Sequence, residues 1–186
     1  MILIPNWLVI SITFPGLLIY IWVQKFFCKL AGIKVHRTRY LKLDSEEFEF
    51  IKHDQPETFK QSFLISFGPF IINSLIAISI SFALAMIDGL FKEKQYLILL
   101  FLFGFWLSMS IAMHALPKNH DASLVIQSAR NSRLNGGSIF YNLVIPIMGL
   151  LYIINIMRFL WFDVVYAAYV GKFGFYLYKL TQNVYY

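Results

Sequence analysis

The sequence predicts an all-α membrane protein of about five transmembrane helices, with a small cytoplasmic β-hairpin between the first and second. Three observations carry this reading. Hydrophobic residues make up 59% of the chain and charged ones only 14%, against about 25% in soluble domains. Four stretches, 1–24, 61–87, 95–117 and 134–157, hold no Asp, Glu, Lys or Arg, and about 20 apolar residues suffice to cross the hydrocarbon core. The basic residues also concentrate in one segment, 25–60. There is no internal repeat and no low-complexity tract, so residues 1–186 read as one integral membrane domain.

The first span is predicted over about 5–27. It lacks a basic n-region and a small-residue cleavage site, which reads as a retained span rather than a signal peptide. Cys28 follows directly and is the one cysteine. Juxtamembrane cysteines are candidates for acylation, while a buried, inert thiol is the commoner state. A hairpin is predicted over about 33–53. Ile33, Val35, Tyr40, Leu41 and Leu43, then Phe48, Phe50 and Ile51, form β-branched and aromatic runs on either side of Asp44-Ser45-Glu46. An isolated hairpin is marginal in water, so this one needs the membrane, the helices or a partner. Arg37, Arg39 and Lys42 are its candidate contacts with lipid headgroups.

The second span, 61–87, contains Gly68-Pro69 and then Asn73 and Ser74. The third, 95–116, contains Ser108 and Ser110. These polar residues are expected to hydrogen-bond between helices. Residues 118–133 read as a polar loop. A fourth span is predicted at 138–157 and a fifth at 159–182, the latter carrying Asp163 and Lys172.

Orientation follows from the loops. Lys25, Lys29, Lys34, Arg37, Arg39, Lys42, Lys52 and Lys60 lie in 25–60, and Lys118, Arg130 and Arg133 in 118–133. The positive-inside rule puts both segments in the cytoplasm and the amino terminus outside.

The net charge of +6 is assigned to lipid headgroups and not to nucleic acid, because the aromatics lie mostly in the spans and not on a basic soluble face. There is no phosphate-binding glycine loop, nucleophile elbow or paired-cysteine motif. The densest cluster of chemistry-bearing residues is 108–122, "SMSIAMHALPKNHDA". His114, His120 and Asp121 are the candidate ligands for a divalent metal such as zinc. They do not form a helical i, i+4 pair, and Pro117 interrupts the chain between them.

Three segments together resemble the site-2-protease-like intramembrane zinc metalloproteases, in particular small members of that superfamily. "FPGLLIYIWVQKFFCKLAGIKV", 14–35, is similar to the family's first catalytic helix. "IKHDQPETFKQSFLISFGPFIINSLIAI", 51–78, is similar to its strand end and second helix. "MHALPKNHDA", 113–122, is similar to the segment whose aspartate is the third metal ligand. The resemblance implies a bacterial inner membrane. It also maps the His-Glu-x-x-His positions onto Tyr20, Ile21 and Gln24. Isoleucine cannot act as the base, and tyrosine ionises only near pH 10. Of the implied ligand set only Asp121 remains. Tyr20, Ile21, Gln24, His114 and Asp121 are therefore expected to form a vestigial site.

The expected function is accordingly a non-catalytic, multi-pass subunit, adaptor or assembly factor of a membrane complex. It would be without catalytic residues or cofactor, and its partners would be the bilayer and other membrane subunits. A metalloprotease with a displaced site, using His114, His120 and Asp121 with His36 or His53 and Glu57, is one alternative. An oligomeric channel or transporter component using Arg158, Asp163 and Lys172 is another.

Overall fold

A computed structural model describes residues 6–38, 51–88, 96–117, 119–134 and 161–184, with isolated positions between 146 and 153. The described chain is mostly helical with one small antiparallel sheet. In chain order its elements are α1 (Asn6–Ile12), α2 (Phe14–Leu30), β1 (Val35–Thr38), β2 (Ile51–His53), α3 (Phe59–Asp88), α4 (Tyr96–Ala115), α5 (Asn119–Leu134) and α6 (Phe162–Val184). Among the described residues two helices, over Phe59–Ile87 and Leu97–Ala115, are long and apolar enough to cross a membrane.

The predicted first span is two helices that meet at Thr13. Pro15 lies at the start of α2, where its missing N–H costs nothing to α2 but removes a bond that would have continued α1. The groups freed by the break find partners on α4. The Trp106 indole donates to the Ile12 carbonyl at 3.0 Å, and the Ser110 hydroxyl donates to the Thr13 carbonyl at 2.8 Å. Ser110 also accepts the Gly16 N–H at 2.9 Å. Broken backbone inside a bundle is tolerated when neighbouring helices satisfy it in this way.

The hairpin arms are present. Val35 pairs with His53, Arg37 with Lys52 and Thr38 with Ile51, with a register irregularity between Val35 and Arg37. Its tip, including Arg39 and Lys42, lies outside the described residues. The apolar side of the hairpin packs on α2. Ile51 joins a buried cluster with Ile10, Leu17, Tyr20 and Ile21, and Val35 packs against the same cluster. Cys28, Ile33 and Ile65 form the next one.

The α3 helix starts on a reciprocal cap. Thr58 Oγ1 accepts the Gln61 N–H at 3.3 Å, and Gln61 Oε1 accepts the N–H groups of Glu57 and Thr58 at 3.1 Å. The Gln61 amide also donates to the Ala31 carbonyl at 3.1 Å, tying the end of α2 to the start of α3. Ser62, Ser66, Pro69, Asn73, Ala77, Ser81 and Leu84 are buried. Their spacing of three and four residues makes them one helical face. That face meets α4 where Ser108 donates to the Ala77 carbonyl at 2.9 Å and lies 2.8 Å from the Ser81 hydroxyl.

Residues 119–134 are helix and not the loop expected from their polarity. Ala122, Val125 and Ala129 are fully buried, at the i, i+3, i+7 spacing of an amphipathic helix. Ala122 and Val125 pack with Phe59, Phe63, Phe162 and Tyr166. The fourth predicted span, 138–157, falls largely outside the described residues. The fifth predicted span holds a helix, α6, which is not one of the two long and apolar enough to cross a membrane, and α6 runs parallel to α3. Tyr166, near the start of α6, meets Phe70 and Ser74 in the middle of α3, and Tyr178, further along α6, meets Phe82, further along α3. Five alternating crossings would make the second and fifth antiparallel, an order α6 does not follow. Its contact surface is glycine: a Cβ on Gly174 would lie 2.6 Å from Ser81 Cβ and 2.8 Å from the Ile78 carbonyl oxygen.

Candidate functional site

The candidate site lies on the buried face of α2. Gly16, Leu17, Tyr20, Ile21, Gln24, Phe27 and Cys28 face inward, recurring at three and four residues as a core-facing stripe does. The positions onto which the resemblance maps the His-Glu-x-x-His motif are therefore interior: Tyr20 is 3% exposed, Ile21 0% and Gln24 5%. Gln24 and Cys28 are one helical turn apart. Gly68 lets α3 approach this face, because a Cβ there would overlap the Phe27 ring.

Asp121 sits in the first turn of α5 and is 8% exposed. A carboxylate is stabilised by the unpaired N–H groups of a helix start. It also stands close enough to Cys28 to act on the thiol. Cys28, one residue past the first predicted span, has its pKa raised to about 11, first by burial and then by the Asp121 charge. Asp121 thus acts electrostatically on Cys28, one helical turn past Gln24 on α2. Burial of Cys28 favours the inert thiol over an acylated one.

His114, His120 and Asp121 do not form a three-residue group among the described residues. His114 Nε2 lies 2.9 Å from Thr13 Oγ1, at the α1–α2 joint, and Thr13 precedes Tyr20 by about 10 Å of helix. His120 is exposed. Among the described residues no three His, Cys, Asp or Glu side chains form a group that could hold a metal ion. The set His114, His120 and Asp121, expected from sequence as possible ligands, is therefore not assembled. His36 is likewise occupied: its Nε2 lies 2.5 Å from Asp54 Oδ1. His53 Nδ1 is 2.7 Å from the Asp54 carbonyl oxygen. Lys172, the proposed pathway cation on α6, is exposed and not in the bundle core.

The sequence reading missed Thr13 and Trp106. The available signal was Thr13-Phe14-Pro15-Gly16, a proline at the first turn of a helix, which marks a helix start inside an apolar run. Among the expected interhelical polar residues, Ser108 and Ser110 bond to neighbouring helices as predicted, and Ser74 lies 2.6 Å from the Tyr166 hydroxyl. Asn73 departs from that expectation. It is 0% exposed, and neither atom of its amide has a hydrogen-bond partner.

Truncating a hydrogen-bonded buried amide costs about 1–3 kcal/mol, whereas replacing an unpaired one by an apolar group of similar size is neutral or stabilising. Asn73→Val is therefore expected to melt no lower than the wild type in detergent; a large drop would show that the amide is paired. Cys28 is expected to resist maleimide at neutral pH until the chain is unfolded. Its folded pKa is raised, so the stability it contributes is complete below the unfolded value of 9.0 and is lost as pH rises towards about 11. Asp121→Asn should lower the pH at which the folded thiol reacts, leaving the larger effect of burial in place. An unchanged reaction profile would show that the carboxylate does not act on Cys28.

Compared with known protein families, curated proteins and solved structures, the chain matches none.

Proposed function

We propose that the chain is a non-catalytic subunit, adaptor or assembly factor of a membrane complex, built on a scaffold like that of the intramembrane metalloproteases. The observation that carries this reading is the packing of α2. At the positions where zinc hydrolysis needs two imidazoles and a carboxylate base, Tyr20, Ile21 and Gln24 are buried, and Ile51 of the hairpin packs in the same apolar cluster as Tyr20 and Ile21. A face sealed by isoleucine from both sides excludes water and offers no base. It suits a helix that holds other elements in place.

In this reading the chain crosses the membrane several times with its amino terminus outside. The hairpin lies on the cytoplasmic side, where Arg37, Arg39 and Lys42 touch headgroups. Exposed apolar side chains on α4, such as Leu99 and Phe103, face lipid or a neighbouring subunit. Solubilisation in mild detergent followed by affinity capture is expected to recover defined membrane partners. Reconstituted protein that cleaves a membrane substrate, and stops when metal is chelated, would overturn the proposal.

A further inference from the structure

We infer that the outward face of α6 docks a membrane-spanning helix of another subunit, and that Lys172 pairs with a carboxylate on that helix. The inference rests on the membrane-complex reading above and names the chemistry of the partner. Val165, Tyr169, Lys172, Phe173, Tyr176 and Leu180 are exposed and recur at three and four residues, which makes them one stripe along α6. Tyr169 is 69% exposed and Tyr176 54%. Phe173 and Tyr176 stack with ring centroids 6.5 Å apart, which fixes the ridge beside Lys172. The opposite face of α6 is already committed to this chain: Ala167 and Val170 share a buried cluster with Ala77 of α3, and Gly174 lies against Ser81.

Where α3 spans, Lys172 is at membrane depth. Its neighbours Gly171 and Gly174 both face Ser81 of α3, and Ser81 lies about 9 Å of helix before Ile87, the end of that apolar run. In a helix each Cα–Cβ bond tilts towards the N-terminus. Because α6 is parallel to α3, this tilt starts the Lys172 stem away from the nearer surface and towards deeper hydrocarbon. Lys179, two turns further on, is the residue placed to rise to that surface. Ionisable side chains at membrane depth face protein or water rather than lipid, and pair with an opposite charge. Lys172 faces away from its own bundle, so the protein it faces is another subunit. Tyr169 and Tyr176, one turn to either side, add hydroxyl donors to the same face, and interhelical hydrogen bonds of this kind hold membrane helices together.

The described carboxylates of this chain are distant from Lys172. Asp163 precedes it by about 14 Å along α6 itself. Asp121 acts on Cys28, which clusters with Ile65, and Ile65 is about 24 Å along α3 from Ser81. Asp54 and Glu57 precede the start of α3, further still from Ser81 along the chain. Residues 134–157 contain no Asp or Glu and bring no counter-charge to this face. Asp44, Glu46, Glu47, Glu49 and Glu93, with the side chain of Asp88, lie outside the described residues, and the experiment separates a carboxylate of this chain from one of a partner.

The test is energy transfer between the full chain, reconstituted in phosphatidylcholine vesicles, and a synthetic leucine–alanine helix of about 20 residues. One peptide carries a single aspartate about 9 Å from an end of its apolar run, and its counterpart has leucine there. The aspartate peptide is expected to associate about ten-fold more tightly than the leucine peptide. Lys172→Gln is expected to abolish this difference, and Lys172→Asp to reverse it in favour of a peptide with lysine at the same position. Equal association of the two peptides with the inserted wild type, or a preference that survives Lys172→Gln, overturns the site while leaving the membrane reading intact. So does a preference that emerges only when Asp44, Glu46, Glu47, Glu49, Asp88 and Glu93 are neutralised together, because Lys172 then pairs within its own chain. A chain that alkaline carbonate strips from the vesicles does not span them, which overturns the membrane reading and the site together.

Discussion

Gly16→Ala is expected to be the most damaging single-methyl change in the described part of the chain. A Cβ at position 16 would fall on the Ser110 backbone carbonyl and crowd the Ser110 hydroxyl. Neither is the far end of a flexible side chain. Relief requires α2 and α4 to separate, and overpacking of this kind costs about 1–3 kcal/mol or more. Separation also breaks the bonds that Ser110 makes to Gly16 and Thr13, and orphaned backbone groups inside a bundle cost about 1–3 kcal/mol. The sum is a large part of the 5–15 kcal/mol typical of a folded domain. In a chain of this size it corresponds to a fall of about 10 °C in the melting midpoint. Gly32→Ala is the control. Gly32 has φ +71° and nothing within 4 Å of a new Cβ, so it meets only the strain of a left-handed residue, about 1–2 kcal/mol. Ser110→Ala removes the bonds without the clash and should fall between the two. Melting followed by size-exclusion fluorescence gives the order. If Gly16→Ala melts with or above Gly32→Ala, the close approach of α2 to α4 is not the contact described.

How far the sequence reveals this structure depends on which physical signal each element carries. The α3 and α4 helices are legible because their uncharged runs have a length that only a membrane or a deep core requires. The hairpin is legible because its β-branched and aromatic runs flank turn residues, although its packing on α2 through Ile51 is not. The break at Thr13 is hidden by hydropathy, which cannot distinguish one long apolar helix from two short ones. Only Pro15 marks it, and its cost is removed by Trp106 and Ser110, which are about 95 residues away in sequence. The α5 helix is hidden for the opposite reason. Its charged and amide side chains outnumber the small buried Ala122, Val125 and Ala129, so composition outweighs periodicity. At the candidate site, the inward position of Tyr20, Ile21 and Gln24 could be read from spacing. The diversion of His114 to Thr13 could not, because it depends on where the α1–α2 joint falls against α4.

Restoring the lost motif tests the correspondence between α2 and a zinc helix most directly. In the triple variant Tyr20→His, Ile21→Glu and Gln24→His, positions 20 and 24 are one turn apart on the buried face, and the question is whether Asp121, whose charge acts on Cys28 one turn further along, completes the set. Two imidazoles and a carboxylate are a sufficient protein ligand set for zinc. The variant is expected to retain stoichiometric zinc through dialysis, with a dissociation constant at or below about 1 µM, and to lose it when Asp121→Asn is added. The new glutamate would occupy a position with 0% exposure. Without metal its charge is costly to bury. The triple variant should therefore be weakly folded when chelated, and its melting midpoint should rise with zinc concentration, as it does when a ligand binds only the folded state. The pair Tyr20→His and Gln24→His, with Ile21 kept, avoids that cost and stays folded either way. If this two-histidine protein, shown to be folded, binds no more zinc than its Asp121→Asn derivative, then positions 20 and 24 do not share a site with Asp121. The resemblance to the metalloproteases would then have no chemical meaning at this helix. If it does bind, the wild-type residues are substitutions within a conserved geometry, and α2 persists because the hairpin, α3 and α4 all pack against it.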